Sequence, residues 1–248
     1  MKPKLAITGV PVRSIPDIGI DGFYSDIYER YVPGDLQKTL ELIKSRADEL
    51  GLDIVHSEEI ALPSTLVTID DLLIAGRAMR EKTRDADRII CFGPSHFGAL
   101  AFYEHNETVA RLDCHGDYFS EKGLGKNESF PGFGRASYMN AIEKRLKKVT
   151  VLNYGVIKMD SFGEKKNFYD PAYLKANHFD IDIDVFSDEF EMNDEYYKSF
   201  FKPEEAAAML SKAKPQKIGV WEYKPEEDKH GNALKFLLST LNVLVKEK

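Results

Sequence analysis

Four short stretches of this sequence concentrate side chains that bind cations or move protons. Gly93-Pro94-Ser95-His96 offers an imidazole, and Asp113-Cys114-His115-Gly116-Asp117 offers two carboxylates around another. Asp180-Ile181-Asp182-Ile183-Asp184 alternates three carboxylates with isoleucine, and Trp221-Glu222 adds one more acid. Carboxylates gathered in one place repel and raise one another's pKa, so such a cluster needs a compensating charge. Divalent cations supply it. Oxygen ligands mixed with imidazole suit Mn, Fe, Co, Ni or Zn rather than Ca or an all-thiolate site. Residues two apart in an extended chain share a face, so Asp113, His115 and Asp117 would point together, as would alternate aspartates of the later run. Alternate carboxylates at a strand end can bridge two ions about 3.5–4 Å apart. Taken singly, each stretch has a plainer explanation: a hydrogen-bonded loop, a solvated acidic edge strand, a loop histidine, a solvated strand end. What separates the readings is their order and position.

The elements that must position them alternate strand and helix. Strands are predicted over Lys4–Val10, Leu52–Val55, Arg88–Phe92, Val109–Leu112, Val149–Leu152 and Lys217–Glu222, with an Asp-rich strand in His178–Val185. Helices are predicted over Asp35–Leu50, Asp70–Arg84, Arg135–Lys147, Pro203–Lys212 and Ala233–Val245. In the first helix Leu36, Leu40, Ile43, Ala47 and Leu50 recur at helical spacing, and Gly51 follows as a stop. This alternation predicts an α/β fold: one three-layer αβα domain over residues 1–248, with a mostly parallel central sheet covered on both faces. Ligands of such sheets gather at the carboxyl ends of the strands, where all four stretches fall. Segments 11–33 and 119–134, rich in Gly, Pro and aromatic residues, read as long loops of the kind that are functional or disordered.

Composition excludes several classes. With 248 residues, a net charge of -7 and a pI near 5.5, the chain lacks the basic footprint of non-specific nucleic-acid binding. Its 43% hydrophobic and 30% charged residues are those of a soluble globular protein. Cys91 and Cys114 form no CxxC pair and no disulfide framework. They read as buried structural thiols in a reducing cytoplasm, Cys114 turning away from its ligating neighbours if the segment stays extended. The apolar run at 5–10 is too short for a signal peptide and that at 233–245 too short to span a bilayer. No glycine-rich phosphate-binding motif is present, so nothing points to a nucleotide.

The four stretches, in this order, resemble the ureohydrolase superfamily of arginase, agmatinase and formimidoylglutamase. Gly93–Phe97 stands where that family has Gly-Gly-Asp-His-Ser, and Asp113–Asp117 matches its Asp-Ala-His-x-Asp. Residues 180–188 are similar to its Ser-x-Asp-x-Asp-x-x-Asp-Pro, and residues 221–225 to its Val-Glu-Val-Asn-Pro. The resemblance implies an arginase-like fold and two divalent ions, Mn2+ by preference. His96, Asp113, Asp117 and Asp182 would hold one; His115, Asp113, Asp182 and Asp184 the other. A bridging hydroxide would attack a guanidinium or amidine carbon, Asp117 would handle a proton, and Glu222 would bind the planar guanidinium through paired hydrogen bonds. The Asp-rich run allows two registers, Asp180 with Asp182 or Asp182 with Asp184; the second aligns better with the family's continuation.

The implied activity is cleavage of a linear C–N bond in a small guanidino or amidino substrate, agmatinase-like and urea-releasing, by a cytoplasmic homo-oligomer, trimer or hexamer. The alternative is a family member that keeps metals but has lost catalysis and serves as a binding or regulatory protein. The lack of a counterpart to the proton-shuttling histidine in Ser129–Phe133 favours it, and retention of all six ligands and Glu222 opposes it. Ser95 in place of an Asp, Ser187-Asp188 in place of Asp-Pro and the short interval from His96 to Asp113 set the chain apart from an ordinary arginase. Tyr118, Glu121 and Lys122 are candidate substitutes for that histidine, and Phe119, Phe130 and Phe133 suggest a more apolar pocket wall.

Overall fold

The computed structural model describes residues 2–14, 29–114, 138–155, 163–167, 169–186 and 201–245. Eight strands form one parallel sheet in the order β4-β1-β6-β11-β10-β7-β8-β9: β4 Asp53–Glu59, β1 Lys4–Gly9, β6 Arg88–Phe92, β11 Lys217–Trp221, β10 His178–Asp182, β7 Thr108–Leu112, β8 Thr150–Tyr154 and β9 Glu164–Lys166. The order carries the functional consequence. The last two strands, β10 and β11, insert between β6 and β7. All strands are parallel, so the carboxyl ends of β6, β11, β10 and β7 become neighbours on one edge, and these four ends carry His96, Glu222, Asp182 and Asp113.

Helices cover both faces. Helix α1 (Gln37–Glu49), α4 (Pro203–Ala213) and α5 (Asn232–Val245) enclose a core with Ile90, Leu112, Phe179, Ile181 and Val220. On the other face α2 (Ile69–Thr83), α3 (Tyr138–Arg145) and a 3₁₀ turn at His96–Ala101 enclose Cys91, Phe97, Tyr103, Val109 and Trp221. Local chemistry sets the helix ends. Thr68 and Asp71 form a reciprocal capping box at the start of α2. Pro203 opens α4, and Lys214 closes it in the left-handed conformation.

The structure departs from the sequence expectations in four places. The short strand expected at Leu52–Val55 is β4, running to Glu59 because β1 pairs with it along its length. Within segment 11–33, β2 (Val12–Ser14) and β3 (Glu29–Tyr31) pair antiparallel and, with β5 (Leu66–Val67), form a second small sheet. Strand β9, Glu-Lys-Lys, has no apolar signal because it lies at the sheet edge, where charged residues discourage further pairing. The Asp-rich strand stops at Asp182 and turns into a 3₁₀ helix at Ile183–Val185. The loop expected at 119–134 lies outside the described residues.

One close approach packs the 3₁₀ turn against α2. A Cβ on Gly76 of α2 would stand 2.2 Å from the carbonyl oxygen of Ala101. Alanine favours an exposed helix interior by about 1 kcal/mol over glycine, but overpacking costs about 1–3 kcal/mol. Gly76→Ala should therefore lower the urea midpoint. A raised midpoint would mean that the turn carrying His96 is free to move.

Candidate metal centre

On one face of the sheet the inward positions are polar. Alternation along β10 sends Phe179 and Ile181 into one core and His178, Asp180 and Asp182 to the opposite face, and along β7 it places Arg111 beside them. All are buried: β10 and β7 are central strands roofed by residues 96–103, so the Ile/Asp alternation is not a solvated edge. Strand β6 runs into Gly93, whose bare Cα lies against Val10; a Cβ there would meet the Val10 oxygen at 2.5 Å. The chain then turns through Ser95, whose side chain accepts from the Phe97 N–H, and delivers His96 over the sheet. The Trp221 indole stacks beneath the His96 ring at 6.4 Å, and Gly98 and Gly219 leave it room.

His96 Nδ1 lies 2.8 Å from Asp182 Oδ2 and 3.2 Å from Asp113 Oδ2. One donor atom from each of His96, Asp113 and Asp182 falls within 4.8 Å of the others, all in buried residues. A second group, Asp113, Cys114 and Asp184, meets the same distance and shares Asp113. Asp182 Oδ1 accepts from the Asp184 N–H at 3.0 Å, fixing the turn that leads from one group to the other. Asp180 belongs to neither group. Its oxygens lie 3.3 Å from His96 Nε2, and the Tyr103 hydroxyl donates to it.

Electrostatics show what the cluster lacks. Burial and the neighbouring Asp184 push the Asp182 carboxyl up. Burial alone would lower the His96 pKa, but Asp180 and Asp182 outweigh it and raise it well above the ordinary imidazole value. Burial also raises Asp180, yet His96, His178 and Arg111 together hold it well below the carboxylate range. The fully buried Arg111 guanidinium is in contact with Asp113 Oδ2 and lies 3.3 Å from Asn153 Oδ1. Asp184 and Glu222 add further carboxylates at the same edge. An imidazole and several carboxylates converging in a dry site suit a divalent transition ion, so the described residues fit the metal that the sequence implied.

Glu222 sits at the end of β11 with φ +58°, a left-handed conformation uncommon outside glycine and asparagine. Its Oε1 accepts from the His96 backbone N–H at 3.1 Å, and Oε2 lies 3.6 Å from Lys224 Nζ. This carboxylate therefore already braces the His96 loop.

The structure brings His96, Asp113, Asp182, Asp184 and Glu222 to one edge. His115 and Asp117 lie outside the described residues, as do Tyr118, Phe119, Glu121, Lys122, Phe130 and Phe133. Cys91 is buried as expected. Cys114 is buried too, but it does not turn away: its thiol joins Asp113 and Asp184, because β7 ends at Leu112 and strict alternation lapses at the bend. Burial, Asp184 and Asp113 raise the pKa of that thiol. The short interval from His96 to Asp113 holds a six-residue 3₁₀ turn and then β7. Two residues at the centre, Tyr103 and Arg111, were not singled out from sequence. Arg111 was findable, being two residues before Asp113 in an otherwise apolar strand.

No protein-family model matches the chain, and no curated protein matches it in sequence. Solved structures do match. The chain is similar to the arginase of Bacillus caldovelox at 15% identity and TM-score 0.68, covering 100% of this chain and 99% of that one. It is similar to the formimidoylglutamase of Bacillus subtilis at 12% identity and TM-score 0.66, covering 98% and 88%. A hypothetical agmatinase of Burkholderia thailandensis matches at 13% identity and TM-score 0.63, covering 98% and 84%. No described helix is long and apolar enough to cross a membrane. With an eight-stranded parallel sheet between two helical layers, matched over nearly its whole length by these three structures, the chain has the arginase-like α/β fold.

Proposed function

We propose that this chain is a divergent ureohydrolase, a metal-dependent hydrolase of a linear amidine or guanidine. The observation that carries the reading is the buried convergence of His96, Asp113 and Asp182 where β10 and β11 are inserted between β6 and β7. These residues, with Asp184, would hold divalent ions, manganese first among them; His115 and Asp117 would complete a binuclear set. When bound, such ions lower the pKa of water and provide a nucleophile near neutral pH. The chain's own groups do the rest. Trp221 and the Gly93–Ser95 turn fix the His96 ring, and the hydrophobic layers around β10 keep the site dry. Glu222, buried at the same edge, orients a planar cation if its bond to the His96 N–H is exchanged or shared. The reaction adds water across the guanidinium carbon, breaks its bond to the substituted nitrogen, and releases a protonated amine and urea. Asp117 would carry the proton to the leaving nitrogen.

The bracing role of Glu222 favours one alternative, a protein that binds metal and an amidine without turning it over. Metal content of protein purified without chelator, with Asp182→Ala beside it, tests both. Two Mn-like ions per chain, lost in the variant, together with release of urea from arginine or agmatine, or of formamide from formimidoylglutamate, is the expected result. Metal without turnover of any such compound supports the binding protein. No metal even after incubation with Mn overturns the hydrolase.

A further inference from the structure

The side of His96 that faces away from the donor groups is as closely built as the side that faces them. Nδ1 points at Asp113 and Asp182; Nε2 points at both oxygens of Asp180, each at 3.3 Å. The Tyr103 hydroxyl donates to Asp180 Oδ2 from the other side. The Tyr103 ring in turn packs edge-on against His178 at 5.0 Å, two residues before Asp180 on the same face of β10. Every member of this chain is buried, at 0–1% exposure. An ionised carboxylate only accepts hydrogen bonds, so both ring nitrogens face acceptors; an ion between Asp113 and Asp182 would take the place of the Nδ1 proton, while Asp180 would keep the Nε2–H.

We infer that Asp180 and Tyr103 are positioning residues: Tyr103 orients Asp180, and Asp180 fixes the orientation and tautomer in which His96 meets the metal. The inference rests on the metal-centre reading above and takes its Asp182–Asp184 register, with Asp180 holding the back of the histidine rather than ligating in front of it. A carboxylate bonded to the remote nitrogen of a ligating histidine makes that ligand more basic, and losing such a partner weakens metal binding about 10–100-fold.

Cobalt(II) is the probe, because it reports its ligands without any need for turnover. Affinity is measured by competition with a chelator in the parent chain and in Asp180→Asn, Asp180→Ala, Asp184→Ala and Tyr103→Phe. Thermal stability of each metal-free protein is recorded alongside. Proton NMR in H2O and D2O follows the exchangeable, cobalt-shifted N–H of the bound histidine. The expected result is a slowly exchanging N–H in the parent and its loss in Asp180→Ala, with affinity down about 10–100-fold. Asp180→Asn, which keeps an acceptor oxygen, should restore part of both. Tyr103→Phe should weaken cobalt binding several-fold and hasten the exchange. If Asp180→Ala does not fold, Tyr103→Phe carries the test with the loss of one hydroxyl. Variants that melt earlier yet bind cobalt with parental affinity and exchange rate overturn the inference. So does a complete loss of cobalt in Asp180→Ala with retention in Asp184→Ala, which would make Asp180 a ligand. A parent chain that takes up no cobalt overturns the metal centre itself, a failure distinct from either.

Discussion

Glu107→Gln is expected to destabilise the protein by about 3–5 kcal/mol at pH 7, the usual cost of stranding one partner of a buried ion pair. Glu107 stands immediately before β7, at the end of the sheet opposite the metal centre, and is 4% exposed. Its Oε2 lies 2.5 Å from Lys217 Nζ and 3.3 Å from His178 Nδ1, and its Oε1 accepts from the Glu104 N–H. Lys217 is equally buried. It donates to the Phe102 carbonyl oxygen at 3.0 Å and lies 5.3 Å from the Phe102 ring centroid. Glutamine preserves the shape but leaves the Lys217 ammonium only the more exposed Glu104 carboxylate, 3.3 Å away, as a counter-charge.

The pH dependence follows from the sign of the shift. Burial pushes the Glu107 carboxyl up, but His178 and Lys217 outweigh it and hold it below the ordinary carboxylate value. A carboxyl depressed in the folded state adds stability above its unfolded pKa of about 4.3. That stability is lost as the pH falls through the folded value. Urea unfolding should therefore show the full gap between parent and Glu107→Gln at pH 7, closing below about pH 4. Lys217→Met added to Glu107→Gln should recover much of the loss, since replacing both partners of a buried pair by apolar groups is often neutral. A gap constant from pH 7 to pH 3 would assign the cost to packing.

The order of strands and helices was legible because each buried strand is a short apolar run and each long helix carries a 3.6-residue stripe, as Leu40, Ile43 and Ala47 do in α1. The carboxyl-end positions of His96, Asp113, Asp182 and Glu222 followed from that order. Strand insertion did not. Nothing local to β10 or β11 says that they enter between β6 and β7, and adjacency of the four strand ends is a property of the whole sheet. β2, β3 and β9 were missed because three residues cannot display a period. Cys114 was misdirected for a related reason: an alternation rule holds only while the chain stays extended, and ligating loops begin where strands stop. Tyr103 carried no signal at all. Its hydroxyl matters only because a non-local fold puts Asp180 beneath it.

Arg111→Met should produce the second large effect, and its dependence on metal separates charge from packing. Arg111 is wholly buried in β7, two residues before Asp113 and on the same face, paired with that carboxylate and bonded to Asn153. In the metal-free protein it is the permanent cation among Asp113, Asp180 and Asp182; methionine fills similar space without charge. Removing it leaves buried carboxylates facing one another, and a loss of about 3–5 kcal/mol is expected in chelator. An ion supplies the missing charge and binds the folded state alone, which returns about 2.7 kcal/mol at a hundredfold excess over Kd. The variant should therefore regain stability with manganese by more than the parent does, because Asp113 no longer divides its oxygen between a guanidinium and an ion. Urea unfolding of both proteins in chelator and in manganese measures this difference. An equal deficit in the two conditions would make Arg111 a packing residue. A deficit that shrinks with metal would make it the charge that lets the site fold before its ions arrive.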